Sequence, residues 1–329
     1  MHMGNELLTL PVAGGLYAAA GTGIAYASVK ARRDLDEKRV PFLGVLGAFV
    51  FAAQMVNFPV LPGTSGHFVG AAFLAIVLGP HAAALGMAAI VIVQCLVFQD
   101  GGILALGANL VNMALVGPYV AYGVFRALVP QGSTPGRARL YGVSFASALV
   151  AIVAGATLVP VEVALSGVSR VPFTAFLGTM VGVHVLIGAV EGVVTFALLE
   201  SLARIRAEFV PGVGAGGSFP VKTALASVVA AAVLVGAFLS LAASGSPDGL
   251  EWTVDEKAVL DQDRPNPAAE TADDVGGKIA LLPDYTRPGE GWYWTTLSGV
   301  LGAMLVLGVA FAAGRALRRA PPSAGGHAG

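Results

Sequence analysis

From Val40 to Gln99 the chain carries no Asp, Glu, Lys or Arg, and residues 101–125 are likewise free of charge. A helix needs about 20 predominantly apolar residues to cross the hydrocarbon core of a bilayer, so these stretches hold several crossings. Inside lipid the backbone must satisfy its own hydrogen bonds, which leaves helices or closed barrels. Charged residues make up 12% of the chain and mean hydropathy is +0.76, against about 25% charged in an average soluble domain. The expected fold class is all-α, a polytopic membrane helical bundle.

Nine helices are expected, at 8–29, 41–60, 66–80, 82–99, 104–126, 140–161, 173–203, 222–243 and 292–314. The third is short for a full crossing, and Pro80 makes its junction with the fourth a tight turn. With the N-terminus outside, alternate loops place 14 of the 19 Lys and Arg residues on the inner side. Most of the remainder fall in one long loop, which crosses largely regardless of charge. Ala25-Tyr26-Ala27 resembles a signal cleavage site, but no basic residue precedes the first hydrophobic stretch. The N-terminus is therefore expected to be retained. Met1 is expected to survive processing too, because the residue behind it, His2, is large.

Four segments are expected. Residues 1–210 form a seven-span unit, 211–221 a Gly-rich cytoplasmic linker, 222–319 a two-span unit, and 320–329 a disordered tail. The loop 244–291 inside the second unit holds eleven acidic and four basic residues. It is either a solvated, partly disordered segment or a cation attractor that docks on the other spans.

Met1 and His2 can chelate a metal. The terminal amine and the deprotonated His2 amide close a five-membered ring; that amide and His2 Nδ1 close a six-membered one. A fourth nitrogen from His67, in Gly63-Thr64-Ser65-Gly66-His67, would complete a planar set suited to Ni(II), Cu(II) or Co(II). By the topology above, His67 lies on the same side as Met1. Alone, it could equally be a structural hydrogen-bonding group. Thr64 and Ser65 are candidates to orient an imidazole. Gln54 with Asn57, and Asn109 with Asn112, are spaced to share a helix face. They either bind neighbouring helices or line the cavity that receives the N-terminus. His184 and Glu191 lie seven apart on one face, for which a structural role is favoured over a proton relay. His81 is expected on the opposite side, away from the site. Cys95 is the single cysteine, so neither an internal disulfide nor a cysteine metal cluster is available.

Enzyme signatures are lacking: there is no H-E-x-x-H, G-x-S-x-G, P-loop or dinucleotide fingerprint. Without a nucleotide site the chain cannot couple ATP hydrolysis to transport by itself, and nothing points to nucleic acid.

The block from Gly63 to Val120 resembles the CbiM/NikM family, substrate-binding membrane components of cobalt and nickel energy-coupling-factor transporters. The resemblance is carried by the Met1-His2 start, the GTSGH run, Gln99-Asp100-Gly101-Gly102, Leu106-Gly107-Ala108-Asn109 and the segment 184–200. It spans roughly residues 1–205. It implies an N-terminus tucked into the bundle, Met1, His2 and His67 as ligands, and Ni(II) or Co(II) as the transported substrate. It implies, as partners, a transmembrane coupling subunit and two ATP-binding cassette ATPases in a prokaryotic cell membrane. Pro247-Asp-Gly-Leu-Glu-Trp252 resembles the small NikN-type component, here fused. Departures are the MHMGNELL start, His81 where an aromatic is usual, and one glycine before Thr64 where relatives often have two. The rival reading is a metal-responsive membrane sensor or scaffold without transport of its own.

Overall fold

The structure, a computed structural model, describes residues 2–32, 35, 39–130, 132–133, 135–210, 219–261, 266–286 and 291–317. Met1, residues 211–218 of the expected linker, residues 262–265 and 287–290 of the acidic loop, and the tail lie outside the described residues.

The molecule is a helical membrane bundle. Seven helices are long and apolar enough to cross a membrane. They include α1 (Leu10–Ala31), α4 (Pro80–Phe98), α7 (Arg137–Ser166), α8 (Phe173–Arg206), α9 (Val221–Ala237, extended by one 3₁₀ turn) and α12 (Tyr293–Leu317). The seventh, Leu106–Leu128, is composite. It runs as α5 (Leu106–Asn109), a π-helical stretch over Leu110–Val116, and α6 (Gly117–Leu128).

Two expected spans are shorter than the hydropathy suggested. α2 (Arg39–Gln54) stops at Gln54 and not at residue 60. α3 (Ala71–Leu78) begins at Ala71 and not at 66, and at eight residues it covers about 12 Å. The expected seven-span unit thus has five long helices and these two short ones. Between α2 and α3 the chain folds into a hairpin, β1 (Asn57–Leu61) against β2 (Thr64–His67). The register pairs Asn57 with His67 and Phe58 with Gly66. Pro59 and Pro62 cannot donate within a helix, and Gly63 takes the left-handed φ of +83° at the turn. The segment carries no charge and keeps Phe58, Val60 and Leu61, so hydropathy alone reads on past the end of α2.

The C-terminal helices dock on α2 through small residues. An added methyl at Gly44 would lie 3.0 Å from Leu307 O, and one at Gly302 would collide with the Phe51 ring. Close backbone approach through glycine is how helices associate where lipid offers no hydrophobic driving force. The described part of the 244–291 loop is folded, with Glu251, Asp255, Glu256, Glu270, Asp273 and Asp274 still exposed to solvent. It forms α10 (Gly249–Glu256), α11 (Pro267–Ile279) and a turn at Pro283–Tyr285.

Candidate metal centre

The N-terminal segment is threaded into the bundle. Met3 N donates to Asn109 Oδ1 at 2.8 Å, and Met3 O accepts from Asn109 Nδ2 at 3.2 Å and from Gly102 N at 2.9 Å. Asn5 Oδ1 accepts from Leu104 N at 2.7 Å. A side chain at Gly102 would collide with Asn5, so the Gly101-Gly102 pair is the gap through which the N-terminus enters. Asn109 therefore holds the backbone next to His2. Its partner in the expected pair does something else: Asn112 Nδ2 donates to Glu162 Oε2 at 2.9 Å.

His2 meets His67 in this arrangement. The two rings are stacked, 5.5 Å between centroids and 11° between planes. His2 Nδ1 is 3.0 Å from Asp100 Oδ1, and His2 Nε2 is 3.1 Å from Gln94 Oε1. His67 Nδ1 lies 3.4 Å from Phe68 O, so its Nε2 is the ring nitrogen left with a lone pair. Burial, with His2 close by, pushes the His67 pKa down to about 3, against a smaller opposing effect from Asp248 and Asp100. His67 is thus neutral across the physiological range, as a metal ligand must be. Burial alone would raise the Asp100 carboxyl, but His2 and a hydrogen bond from Tyr285 hold it below the usual carboxylate range.

The other expected residues fall in different places. Gln54 is buried and donates to Val69 O at 2.7 Å. Asn57 sits in β1 and not on the α2 face, so its helical pairing with Gln54 is wrong, although both line the same cavity. The helix ends between them at Gln54. The Thr64 and Ser65 hydroxyls do not contact an imidazole. Ser65 Oγ donates to Ser246 O at 2.8 Å, and Thr64 Oγ1 faces Pro247 O at 3.4 Å. Glu191 accepts from Val69 N at 2.7 Å and Gly70 N at 2.9 Å. It is a brace for the His67 loop, in line with the structural role. His184 Nδ1 donates to Met180 O one turn back. His81 pairs with Tyr119 and does not line the cavity.

Four residues were missed as site components: Gln94, Asp100, Asp248 and Tyr285. The signal for Gln94 was a lone amide in the apolar run Ile90–Phe98. Asp248 and Tyr285 come from the C-terminal unit. The run Pro247-Asp248-Gly249-Leu250-Glu251 has a physical reason at each position. Pro247 O accepts from Ser65 N at 2.8 Å, tying it to the hairpin. Asp248 and Glu251 form a capping box on α10. A methyl on Gly249 would press on Val183 and Ile187 of α8, and Leu250 is buried.

The histidines open onto a cavity of about 810 Å³. Seven carboxylates line it (Glu6, Asp100, Asp248, Glu251, Asp255, Asp273 and Asp284), and among the described residues no Lys or Arg does. Such a cavity concentrates cations. Among the described residues no three His, Cys, Asp or Glu side chains are arranged to hold a metal.

Residues 2–209 match the family model for the cobalt uptake substrate-specific transmembrane region, CbiM, and residues 222–319 match the PDGLE domain. The chain is similar to a putative fused nickel transport protein NikMN of Archaeoglobus fulgidus, 35% identical over 323 residues, 97% of this chain and 100% of that one. Similarity to the fused nickel transport protein NikMN of Rhodobacter capsulatus is 33% identity over 221 residues, 63% of each chain. The crystal structure of a truncated transition metal transporter aligns with a TM-score of 0.54 at 30% identity, covering 61% of this chain and 98% of that one. This chain belongs to the CbiM family, with a PDGLE domain joined to it.

Proposed function

We propose that the protein is the substrate-capturing membrane component of an energy-coupling-factor uptake system for Ni(II) or Co(II). The ion is held by the Met1 amine, the His2 amide and Nδ1, and His67 Nε2. The observation that carries this reading is the stacked His2–His67 pair in a cavity whose charged lining, among the described residues and besides histidine, is carboxylate alone. Two side-chain nitrogens come together where chain threading brings the backbone nitrogens of the N-terminal segment. The residues 1–210 bind the ion, and 222–319 close over it from the outer side. The chain itself is not the enzyme of the system. A transmembrane coupling subunit and two ATPase subunits in a prokaryotic cell membrane supply the energy for inward release.

The test is calorimetric titration of Ni(II) into full-length protein with a native, untagged start, beside the same protein with one glycine before Met1. Tight one-to-one binding that weakens by more than about a hundredfold on extension is expected, since a direct ligand is worth more than an outer-shell partner. Equal binding by both proteins sinks the N-terminal site. Radioactive nickel accumulation with the partner subunits then separates transport from sensing.

A further inference from the structure

A neutral imidazole offers a lone pair at one nitrogen and a proton at the other. The six-membered ring of the proposed chelate needs that lone pair on His2 Nδ1. In the opposite tautomer a proton would stand where the metal must bind. Which nitrogen of a histidine is protonated is set by the hydrogen bond the other one makes.

A line of buried amides sets it here. The line starts at the Val69 carbonyl, which can only accept. Gln54 donates to it through Nε2 at 2.7 Å. That turns Gln54 Oε1 the other way, where it accepts from Gln94 Nε2 at 2.7 Å. Gln94 is left to present Oε1 to His2 Nε2, 3.1 Å away. An amide oxygen only accepts, so His2 Nε2 carries the proton. Neither glutamine can flip without setting oxygen against oxygen. Gln54 is 5% exposed and Gln94 1%, so each amide relies mainly on protein partners.

We infer that Gln94, aimed by Gln54, is a positioning residue that keeps the His2 proton on Nε2 and so leaves Nδ1 to the metal. The inference rests on the proposed ligand role of His2. On the Nδ1 side Asp100 Oδ1 also stands within hydrogen-bond distance, at 3.0 Å, so without metal both ring nitrogens face acceptors. A cation takes the place of the Nδ1 proton and meets a carboxylate, while Gln94 keeps the proton on Nε2. His67 is held in the opposite sense, Nδ1 toward the Phe68 carbonyl. The amide line also ties the two ligands together. It ends on Val69, two residues after His67, whose own N–H is fixed by Glu191.

The test uses full-length protein with its native start, labelled with nitrogen-15 on histidine and loaded with Ni(II). A planar four-nitrogen Ni(II) complex is diamagnetic, so ring signals stay observable. There are five histidines, and the signal lost in His2→Ala identifies the one of interest. The expected spectrum has the His2 proton on Nε2 and a metal-shifted Nδ1. A proton on Nδ1 overturns the inference, without need of any Gln94 variant. In Gln94→Met, Ni(II) affinity should fall about 10–100-fold. Unchanged affinity in Gln94→Met assigns Gln94 to packing and overturns the inference. The glycine-extended protein separates the two failures. If extension abolishes binding and Gln94→Met does not, the Gln94 role alone falls; if extension changes nothing, the His2 reading falls and takes this one with it.

Discussion

The two histidines are mounted in opposite ways. His67 sits in a hairpin strand continuous at both ends with the chain, paired to β1, braced by Glu191 from α8 and tied by Ser65 to Pro247. His2 lies near a chain terminus and is held by side chains from separate elements: Asn109 on its neighbour Met3, Gln94 and Asp100 on its ring. The first mounting is a frame, and its failure should be a failure of folding. The second is a set of hooks. Loosening one should cost affinity while leaving the fold intact.

The largest expected effect breaks the frame. Glu191→Ala leaves the buried Val69 and Gly70 N–H groups unpaired, at about 1–3 kcal/mol each. Denaturation of the detergent-solubilised protein should show a loss of about 2–6 kcal/mol. An unchanged transition would mean that the hairpin does not depend on α8. Next comes a hook. Asn109→Leu removes both bonds to Met3 and should weaken Ni(II) binding about 10–100-fold, while the unfolding transition moves less than in Glu191→Ala. A larger stability loss in Asn109→Leu would erase the distinction.

Acid sharpens the same contrast. The His67 pKa falls from 6.5 to about 3 on folding, chiefly by burial. The unfolded chain therefore takes up the proton first. This contribution to stability is complete above about pH 6.5 and drains away as the pH falls toward 3. Melting temperatures measured from pH 7 to pH 4 should decline, with a shallower slope in His67→Gln. Metal binding should respond differently, because a neutral His67 has no proton to displace at pH 5. Proton release there comes from the amine, whose ordinary pKa is about 8, and from the amide. The slope of log affinity against pH should thus approach about two between pH 6 and 7. The smallest effect concerns Tyr285, whose hydroxyl donates to Asp100 Oδ2 at 2.5 Å. Tyr285→Phe should cost about 0.5–1.5 kcal/mol of Ni(II) affinity. No change on titration would show that the PDGLE unit does not steady the His2 side of the site.

Sequence reading found the long helices because their signal is additive: every apolar residue in a 20-residue window votes the same way. It failed at the hairpin, where Val56, Phe58, Val60 and Leu61 stay apolar while the backbone changes period, and Asn57, Pro59 and Pro62 weighed too little against hydropathy. At the candidate site, His2 drew notice because the chelate constrains neighbours in sequence, and His67 because the expected topology put it on the same side as the N-terminus. Gln94 and Tyr285 did not. Gln94 reaches His2 across 92 residues of chain and Tyr285 reaches Asp100 across 185, and a single uncharged amide in a span carries no mark of what it faces.

The π-helical stretch over Leu110–Val116 separates Asn109, which holds Met3, from α6, which packs on α7. A π segment is equivalent to one residue inserted into an α-helix, and one residue is worth about 100° of rotation about the axis. The stretch therefore works as a phase shifter, letting one continuous helix aim Asn109 at the N-terminus while α6 keeps its own face to its neighbours. Deleting a single residue there should restore a regular helix of nearly the same hydropathy, yet leave either the asparagine or the packing face pointing in the wrong direction.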